Sequence, residues 1–125
     1  MRMTDVPILG AVLIGSVSCA ANARADSMQT LLQECVSELG TPQQLVCAAY
    51  IGGIGDVMSM NGVLIRTYHE GGQNLRKFAI CAPDPMSYGA AVQAFVAWGH
   101  RHPERWDTEK LPAVLNALQE TWPCQ

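Results

Sequence analysis

Four cysteines follow an N-terminal segment that has the pattern of an export signal. Arg2 precedes an apolar run at residues 6–17, and Ala23-Arg24-Ala25 places small residues around a cleavage position. This run is shorter than the roughly 20 apolar residues that a membrane-spanning helix needs. The pattern therefore predicts a cleavable signal at residues 1–25 and one domain at residues 26–125.

Two other interpretations of this segment are weaker. An apolar N-terminal helix buried in the domain would not explain the small residues at 23–25. A lipoprotein signal that uses Cys19 would normally have an aliphatic residue where this chain has Ser16. A cleavable signal and a lipoprotein signal would both place the domain in an oxidising compartment outside the cytoplasm.

The mature chain would keep an even number of cysteines: Cys35, Cys47, Cys81 and Cys124. An even cysteine count behind an export signal predicts a disulfide framework, and four buried free thiols are the alternative. A domain of this size gains little from its core alone, so two disulfides would add substantial stability.

The spacing of apolar residues predicts an all-α fold, a small bundle of about four helices stapled by disulfides. Ser27 caps the first helix, whose apolar positions run from Met28 to Leu39, and Gly40 ends it. Thr41, Pro42 and Gln44 give the start signals of a second helix, which Asn61-Gly62 would end. The third helix would start at Asp84-Pro85 and end around residues 100–103, and the fourth would run from about Glu109 to Trp122.

These helices predict the disulfide pairing. Cys35 near the end of the first helix faces Cys47 near the start of the second, if the two form an antiparallel hairpin. Cys81 before the third helix meets Cys124 after the fourth by the same argument. The predicted bonds are therefore Cys35–Cys47 and Cys81–Cys124.

The segment between the second and third helices is harder to assign. Residues 63–68 and 75–80 are apolar and partly β-branched, and they flank a polar stretch at residues 69–74. A short hairpin and a helical extension followed by a loop both fit this pattern. In either case the polar stretch should be exposed.

Composition and motifs argue against several functions. Cleavage of the signal would remove two of the eight basic and one of the eleven acidic residues, which leaves a net charge of −4. An acidic chain without interleaved aromatic and basic residues does not predict nucleic-acid binding. The glycines of Gly52-Gly53-Ile54-Gly55 lack the Lys-Ser/Thr of a phosphate-binding loop, so a packing role is favoured.

No catalytic or metal-binding constellation stands out. His100 and His102 are two residues apart and would point to different faces of a helix, and the chain has no CxxC or HExxH motif. An enzyme that uses Asp56 with His100 or His102 remains an alternative, although Asp56 fits better as a structural hydrogen-bond acceptor. The sequence therefore predicts a binding domain that is not an enzyme and needs no metal or cofactor.

Several blocks of the sequence resemble one known family. The stretch from Cys47 to Asp56 is similar to the Cys-x-x-Tyr-Ile-x-Gly-x-x-Asp signature of the Rap/Tai immunity proteins of the type VI secretion system. Cys81-Ala-Pro83, His102-Pro103-Glu104 and the C-terminal block to Cys124 follow in the family's order. The matched residues look structural and do not carry over a contact surface; besides the cysteines they are Tyr50, Gly53, Asp56, Pro83 and Pro103.

The resemblance implies a periplasmic, all-helical protein whose relatives often form homodimers. Such relatives bind and block peptidoglycan amidase effectors, so the expected partner is a cognate secreted amidase. As a hypothesis, an element that protrudes from the domain fills the effector's catalytic cleft. The first candidates lie on the polar segment, and a solvated loop without a role is their alternative: His69, Glu70, Asn74 and Arg76. A periplasmic chaperone-like protein is the second functional reading, and it would bind many unfolded clients instead of one toxin.

Overall fold

A computed structural model describes residues 26–69 and 71–125 of the chain, and the predicted signal at residues 1–25 lies outside them. The described residues form five α-helices and one 3₁₀-helix, with a single isolated β-bridge between Ser27 and Glu109. The helices are α1 (Met28–Cys35), α2 (Pro42–Tyr68), α3 (Gln73–Arg76), α4 (Tyr88–Arg101) and α5 (Lys110–Thr121). The 3₁₀-helix (Pro103–Arg105) connects α4 to α5.

The prediction of an all-α, disulfide-stapled bundle is confirmed. The four predicted helices correspond to α1, α2, α4 and α5, and α3 is an additional single turn. Cys35 is bonded to Cys47 and Cys81 to Cys124, with Cα–Cα distances of 5.1 and 4.9 Å. The pairing derived from two antiparallel hairpins is therefore correct.

Helix α1 begins where the sequence predicts but ends earlier. The Ser27 hydroxyl accepts a hydrogen bond from the Thr30 N–H at 3.2 Å, as an N-cap does. The helix ends at Cys35, and the Ser37 hydroxyl donates to the carbonyl of Gln33 beyond this end. The prediction that Leu39 continues the buried face is wrong, since this side chain is 86% exposed.

Helix α2 is longer than predicted. Its start has the expected cap, with the Thr41 hydroxyl accepting from the Gln44 N–H at 3.4 Å. Asn61-Gly62 does not end the helix, which continues to Tyr68, so of the two alternatives for residues 63–68 the helical extension is correct. The Asn61 side chain donates to the carbonyl of Phe78 at 2.8 Å, and Gly62 lies directly against the carbonyl of Ile80. Asn61 and Gly62, which are common in turns, thus lie within the helix and contact another segment of the chain.

Helix α4 begins later than the sequence predicts. Its N-cap is Ser87, whose hydroxyl accepts from the Ala90 N–H at 3.1 Å, and not Asp84. The Asp84–Pro85 peptide bond is cis and belongs to the extended segment before the helix. Ser87 offers the same capping chemistry as Asp84 but lies next to the first helical residue.

The hydrophobic core lies where α4 packs against α2, α5 and α1. Its largest fully buried side chains come from every one of these helices and from the segment before α4; they include Trp98, Phe95, Met28, Leu31, Ile51, Met58, Ile80 and Leu118. The N-terminal end of the described chain is tied to α5, because the Lys110 N–H donates to the Asp26 carbonyl at 2.9 Å. The last residues of α2, Arg66 to Tyr68, and the chain that follows them are exposed at the edge of this core.

Candidate partner-binding surface

The polar segment after α2 is exposed, as predicted. His69 follows the last residue of α2 in the left-handed conformation, with φ of 53°, and its backbone N–H donates to the Leu64 carbonyl. Asn74 and Arg76 are exposed on the single turn α3, whereas Glu70 lies outside the described residues. No hydrogen bond or ion pair joins the side chains of His69, Asn74 and Arg76 within residues 26–69 and 71–125. Their side chains are therefore open to a partner.

The outgoing end of this segment is anchored to the domain. The Gln119 side-chain amide of α5 donates to the carbonyls of Arg76 and Lys77. Asn61 of α2 donates to the Phe78 carbonyl, and the Ile80 N–H donates to the Met58 carbonyl at 3.0 Å. An exposed segment with a fixed base presents its side chains at little entropic cost, which favours binding.

Asp56 accepts a hydrogen bond from a side chain of another helix. It is exposed, and its carboxylate accepts a 2.6 Å hydrogen bond from the Tyr88 hydroxyl. This hydrogen bond, and secondly the charge of Asp56, raises the pKa of the Tyr88 phenol above its ordinary value. Asp56 thus fastens the start of α4 to α2, a partnership that spacing alone did not indicate.

The glycines beside Asp56 have two distinct environments. A Cβ atom at Gly52 would overlap the ring of Tyr88, and one at Gly55 would lie 2.6 Å from the Cε atom of Met86. Gly52 thus gives room to the first side chain of α4, and Gly55 gives room to a side chain of the segment before α4. Gly53 is exposed and has no atom within 4 Å of the Cβ position. No contact within the described residues explains why this position is a glycine.

The remaining motif residues lie at junctions between elements. Tyr50 is partly buried below Lys110, whose ammonium lies 4.8 Å from the ring centroid and 3.3 Å from the Asp26 carboxylate. Burial raises the pKa of the Tyr50 phenol, Lys110 lowers it and Asp26 raises it. Pro83 is exposed in the segment before α4, and Pro103 begins the 3₁₀-helix.

The histidines do not combine with Asp56 into a catalytic arrangement. His102 Nδ1 lies 2.9 Å from the Glu104 carboxylate, and the His102 ring packs 4.2 Å from that of Trp98. The hydrogen bond with His102 holds the pKa of Glu104 below its ordinary value. His100 is exposed, and the hydrogen bond found for Asp56 goes to Tyr88 instead. Within residues 26–69 and 71–125 no three His, Cys, Asp or Glu residues form a metal-binding group.

The structure also contains an exposed apolar groove that the sequence pattern does not predict. It has a volume of about 480 Å³ and lies between α2, α5 and the segment after α3; its lining includes Gly53, Ile54, Val57, Phe78, Leu111 and Leu115. Half of the Phe78 side chain and 63% of Val57 are exposed. The signal that could have revealed this surface is the composition of α2, which has only two charged residues, Asp56 and Arg66, among its 27.

Comparison with known protein families identifies the chain. A family model described as Rap1a immunity proteins matches residues 27–124, which is nearly the whole described region. The chain belongs to the Rap1a immunity protein family. No curated protein and no solved structure gave a match. The match confirms the resemblance inferred from the cysteine, glycine and proline blocks.

Family membership defines the general function. Rap1a proteins are immunity proteins, which act by binding a cognate effector and are generally not enzymes. The Asp56–Tyr88 pair has a structural role, since it links α2 to the start of α4, and the His102–Glu104 pair is a local contact at the end of α4. The surface that contacts the effector has to be sought among the exposed segments.

Proposed function

We propose that this Rap1a protein acts in the periplasm, where it binds a type VI secretion peptidoglycan amidase effector and blocks its active site. The observation that carries the proposal is the family match over residues 27–124. An export-type N-terminus and two disulfides support the periplasmic location, because disulfides persist in oxidising compartments. Members of this family are typically exported as well.

The contact with the effector is proposed to involve the polar segment at residues 69–76. Its base is fixed by Gln119 and Asn61, and the described part of its tip is exposed. An amidase cleft accepts an extended peptide, and a fixed protruding segment can occupy such a cleft without a large loss of entropy. In this arrangement His69, Glu70, Asn74 and Arg76 contact the effector.

The proposed activity can be tested with the oxidised mature chain. Residues 26–125 are immobilised, and periplasmic and secreted fractions of the source cell are passed over them. We expect one dominant partner that degrades purified peptidoglycan and that loses this activity when an equal amount of the mature chain is added. Retention of many unrelated proteins would favour the chaperone-like alternative and contradict the proposal.

The contact surface is tested separately with charge reversals. Arg76→Glu should weaken binding to the isolated amidase by at least about tenfold, since interface charge pairs contribute on this scale. Arg101→Glu is the matched control, because Arg101 is an exposed arginine at the end of α4, outside the polar segment. If Arg76→Glu and a deletion of residues 70–74 both left inhibition unchanged, residues 69–76 would not be the contact.

Export and pairing are two further parts of the proposal. Cell fractionation and N-terminal sequencing should find the protein in the periplasm with Asp26 as its first residue. Since relatives in this family often pair, we also propose that the mature chain is a homodimer. A full-length chain that stays in the cytoplasm with residues 1–25 attached would contradict the export part alone.

A further inference from the structure

Another groove lies between α2 and the segment that leads into α4, and we call it the charged groove. It has a volume of about 380 Å³. Its wall on α2 includes Asp56, Met60, Val63 and Arg66, and its other wall is formed by the segment from Ile80 to Met86. The groove therefore combines an apolar middle with charged side chains of both signs.

The second wall of the charged groove runs antiparallel to α2. The Ile80 carbonyl lies against Gly62, whereas Met86 lies against Gly55, two turns of α2 earlier. Asp84 is two residues from Met86 in the chain. It is therefore placed towards the end of the groove that the earlier residues of α2 form.

The charges of the groove are separated by sign. Asp56 and Asp84 lie towards one end and Arg66 at the other, and all three are exposed. Met60 and Val63 lie between them and are 61% and 41% exposed. In the described part of the chain neither Asp84 nor Arg66 forms an ion pair. The groove thus offers a negative end, an apolar middle and a positive end to a partner of the opposite polarity.

The dimensions of the charged groove suit an extended peptide. Asp56 and Arg66 are ten residues apart on α2, which corresponds to about 15 Å along the helix axis. Five extended residues cover the same distance, at about 3.3 Å per residue. Spread over this length, the volume of the groove gives a cross-section of about 25 Å². An extended strand fits such a channel better than a helix, which is about 10–12 Å wide with its side chains.

Two residues of the groove carry polar groups that have no hydrogen-bond partner among the described residues. The hydroxyl oxygen of Ser59 is buried without one. Ala82 is only 8% exposed, and neither its N–H nor its carbonyl is bonded. Buried polar groups are normally hydrogen-bonded, so both residues require a partner. An extended peptide supplies N–H and carbonyl groups, which pair with free backbone groups of the protein that binds it.

We propose that the charged groove binds an extended segment of the effector. This segment carries a basic side chain at the Asp56 end of the groove, an apolar side chain in the middle and an acidic side chain at the Arg66 end. The inference rests on the proposed function and adds a second contact to the polar segment. Arg66 precedes His69 by only three residues, so an effector that contacts residues 69–76 lies next to the groove.

Two synthetic pentapeptides test the polarity of the groove without the effector. In an extended peptide the first, third and fifth side chains face the same side. The first probe, acetyl-Arg-Thr-Val-Thr-Glu-amide, has the proposed order of charges, and the second, acetyl-Arg-Thr-Val-Thr-Arg-amide, is basic at both ends. In NMR titrations of the oxidised mature chain at low salt, the first should bind at least about threefold more tightly, because it replaces a repulsive contact with Arg66 by an attractive one. Arg66→Glu should reverse this preference, which a merely structural role of Arg66 would not do.

The isolated amidase tests whether the effector is the occupant. Arg66→Glu and Asp84→Lys should each weaken binding of the mature chain to the amidase by at least about tenfold. Asp107→Lys is the matched control, because Asp107 is an exposed aspartate that belongs neither to the groove nor to the polar segment. It should leave the affinity unchanged. Circular dichroism checks that all three variants fold, as expected for substitutions of exposed side chains.

The outcomes separate this inference from the proposed function. If both reversal variants bound and inhibited the amidase as well as the unmodified chain does, the groove would not be an effector contact, while the proposed function would stand. Equal binding of the two peptides, or binding of neither, would contradict the proposed polarity. If no amidase bound the mature chain at all, the proposed function would fail and this inference with it. A reversed peptide preference in Arg66→Glu, together with a loss of amidase affinity that Asp107→Lys does not share, establishes the proposal.

Discussion

The two halves of α2 are held to the domain by different means. The first half, from Pro42 to Met58, is fixed by the Cys35–Cys47 disulfide and by side chains such as Ile51 that enter the core. The second half, from Ser59 to Tyr68, buries only Gly62 and Ile65, and it also contacts backbone carbonyls of the segment between α3 and α4. There the Ile80 carbonyl lies against Gly62, and the Asn61 amide reaches the Phe78 carbonyl.

This difference explains why one half of the helix was predicted and the other was not. Side-chain burial at intervals of three and four residues leaves a periodic record in the sequence. A backbone that lies directly on a helix requires a glycine, and a glycine in a sequence more often indicates a turn. Asn61-Gly62 was therefore interpreted as the end of α2, although it is where another segment packs.

The largest expected effects come from the two disulfides. Cys35–Cys47 joins α1 to α2, and Cys81–Cys124 joins the segment before α4 to the chain after α5. Cys81–Cys124 lies beside Gly62 and closes a separation of 43 residues, whereas Cys35–Cys47 closes 12. Because a longer closed loop restricts the unfolded chain more, Cys81→Ser/Cys124→Ser should cost about 4 kcal/mol and Cys35→Ser/Cys47→Ser about 3 kcal/mol. Urea unfolding of both variants measures these values. A greater loss from the shorter loop would show that packing, and not chain entropy, decides the contribution.

A glycine-to-alanine pair tests the backbone contact of the second half. In Gly62→Ala the new Cβ would overlap the Ile80 carbonyl, and since a backbone group cannot easily move, we expect a loss of about 2–3 kcal/mol. Gly53→Ala is the same change nine positions earlier, where the Cβ enters open space, and it should stabilise the monomer by about 1 kcal/mol. Thermal unfolding at low protein concentration separates the two. If both substitutions changed the free energy of unfolding equally, the Ile80 carbonyl would not be what requires a glycine at position 62.

The Asn61 side chain contributes less than Gly62. Asn61→Ala removes the bond to the Phe78 carbonyl and should cost about 1 kcal/mol, with faster hydrogen exchange in residues 76–80. Asn74→Ala is the control, because the Asn74 side chain is exposed and forms none of the hydrogen bonds found in the described chain. It should change stability by less than about 0.5 kcal/mol. Unchanged exchange in Asn61→Ala would show that Gln119 alone anchors the polar segment.

The smallest effect concerns the Asp56–Tyr88 pair beside the first half. The pKa of Tyr88 is raised in the fold, so the pair's contribution to stability is complete below the ordinary pKa of tyrosine. It is lost as the pH rises through the raised pKa, where the phenol ionises beside Asp56. In Asp56→Asn, alkaline titration followed at 295 nm should show one tyrosine returning towards its ordinary pKa. Tyr68→Phe, which removes an exposed phenol, is the control and should leave the titration of Tyr88 unchanged. If Asp56→Asn did not change the tyrosine titration, the Asp56–Tyr88 pair would not form in solution.

The candidate binding surface was only partly predictable. The exposure of His69 and Asn74 followed from a polar stretch between two apolar ones. Its anchoring through Gln119 could not be foreseen, because that contact joins residues more than 40 positions apart. The exposure of Val57 and Met60 could not be predicted for another reason: an apolar residue in a sequence is normally assigned to the core.

The sequence by itself determined the helical class, the starts of α1 and α2, and both disulfides. These features depend on local capping groups, on periodicity and on the order of cysteines along antiparallel hairpins. Only the tertiary structure decided that α2 continues through Gly62, that Ser87 begins α4, and that Asp56 pairs with Tyr88. Each of these depends on which distant segment comes close, and that proximity is set by the packing of the whole core, which no local pattern records.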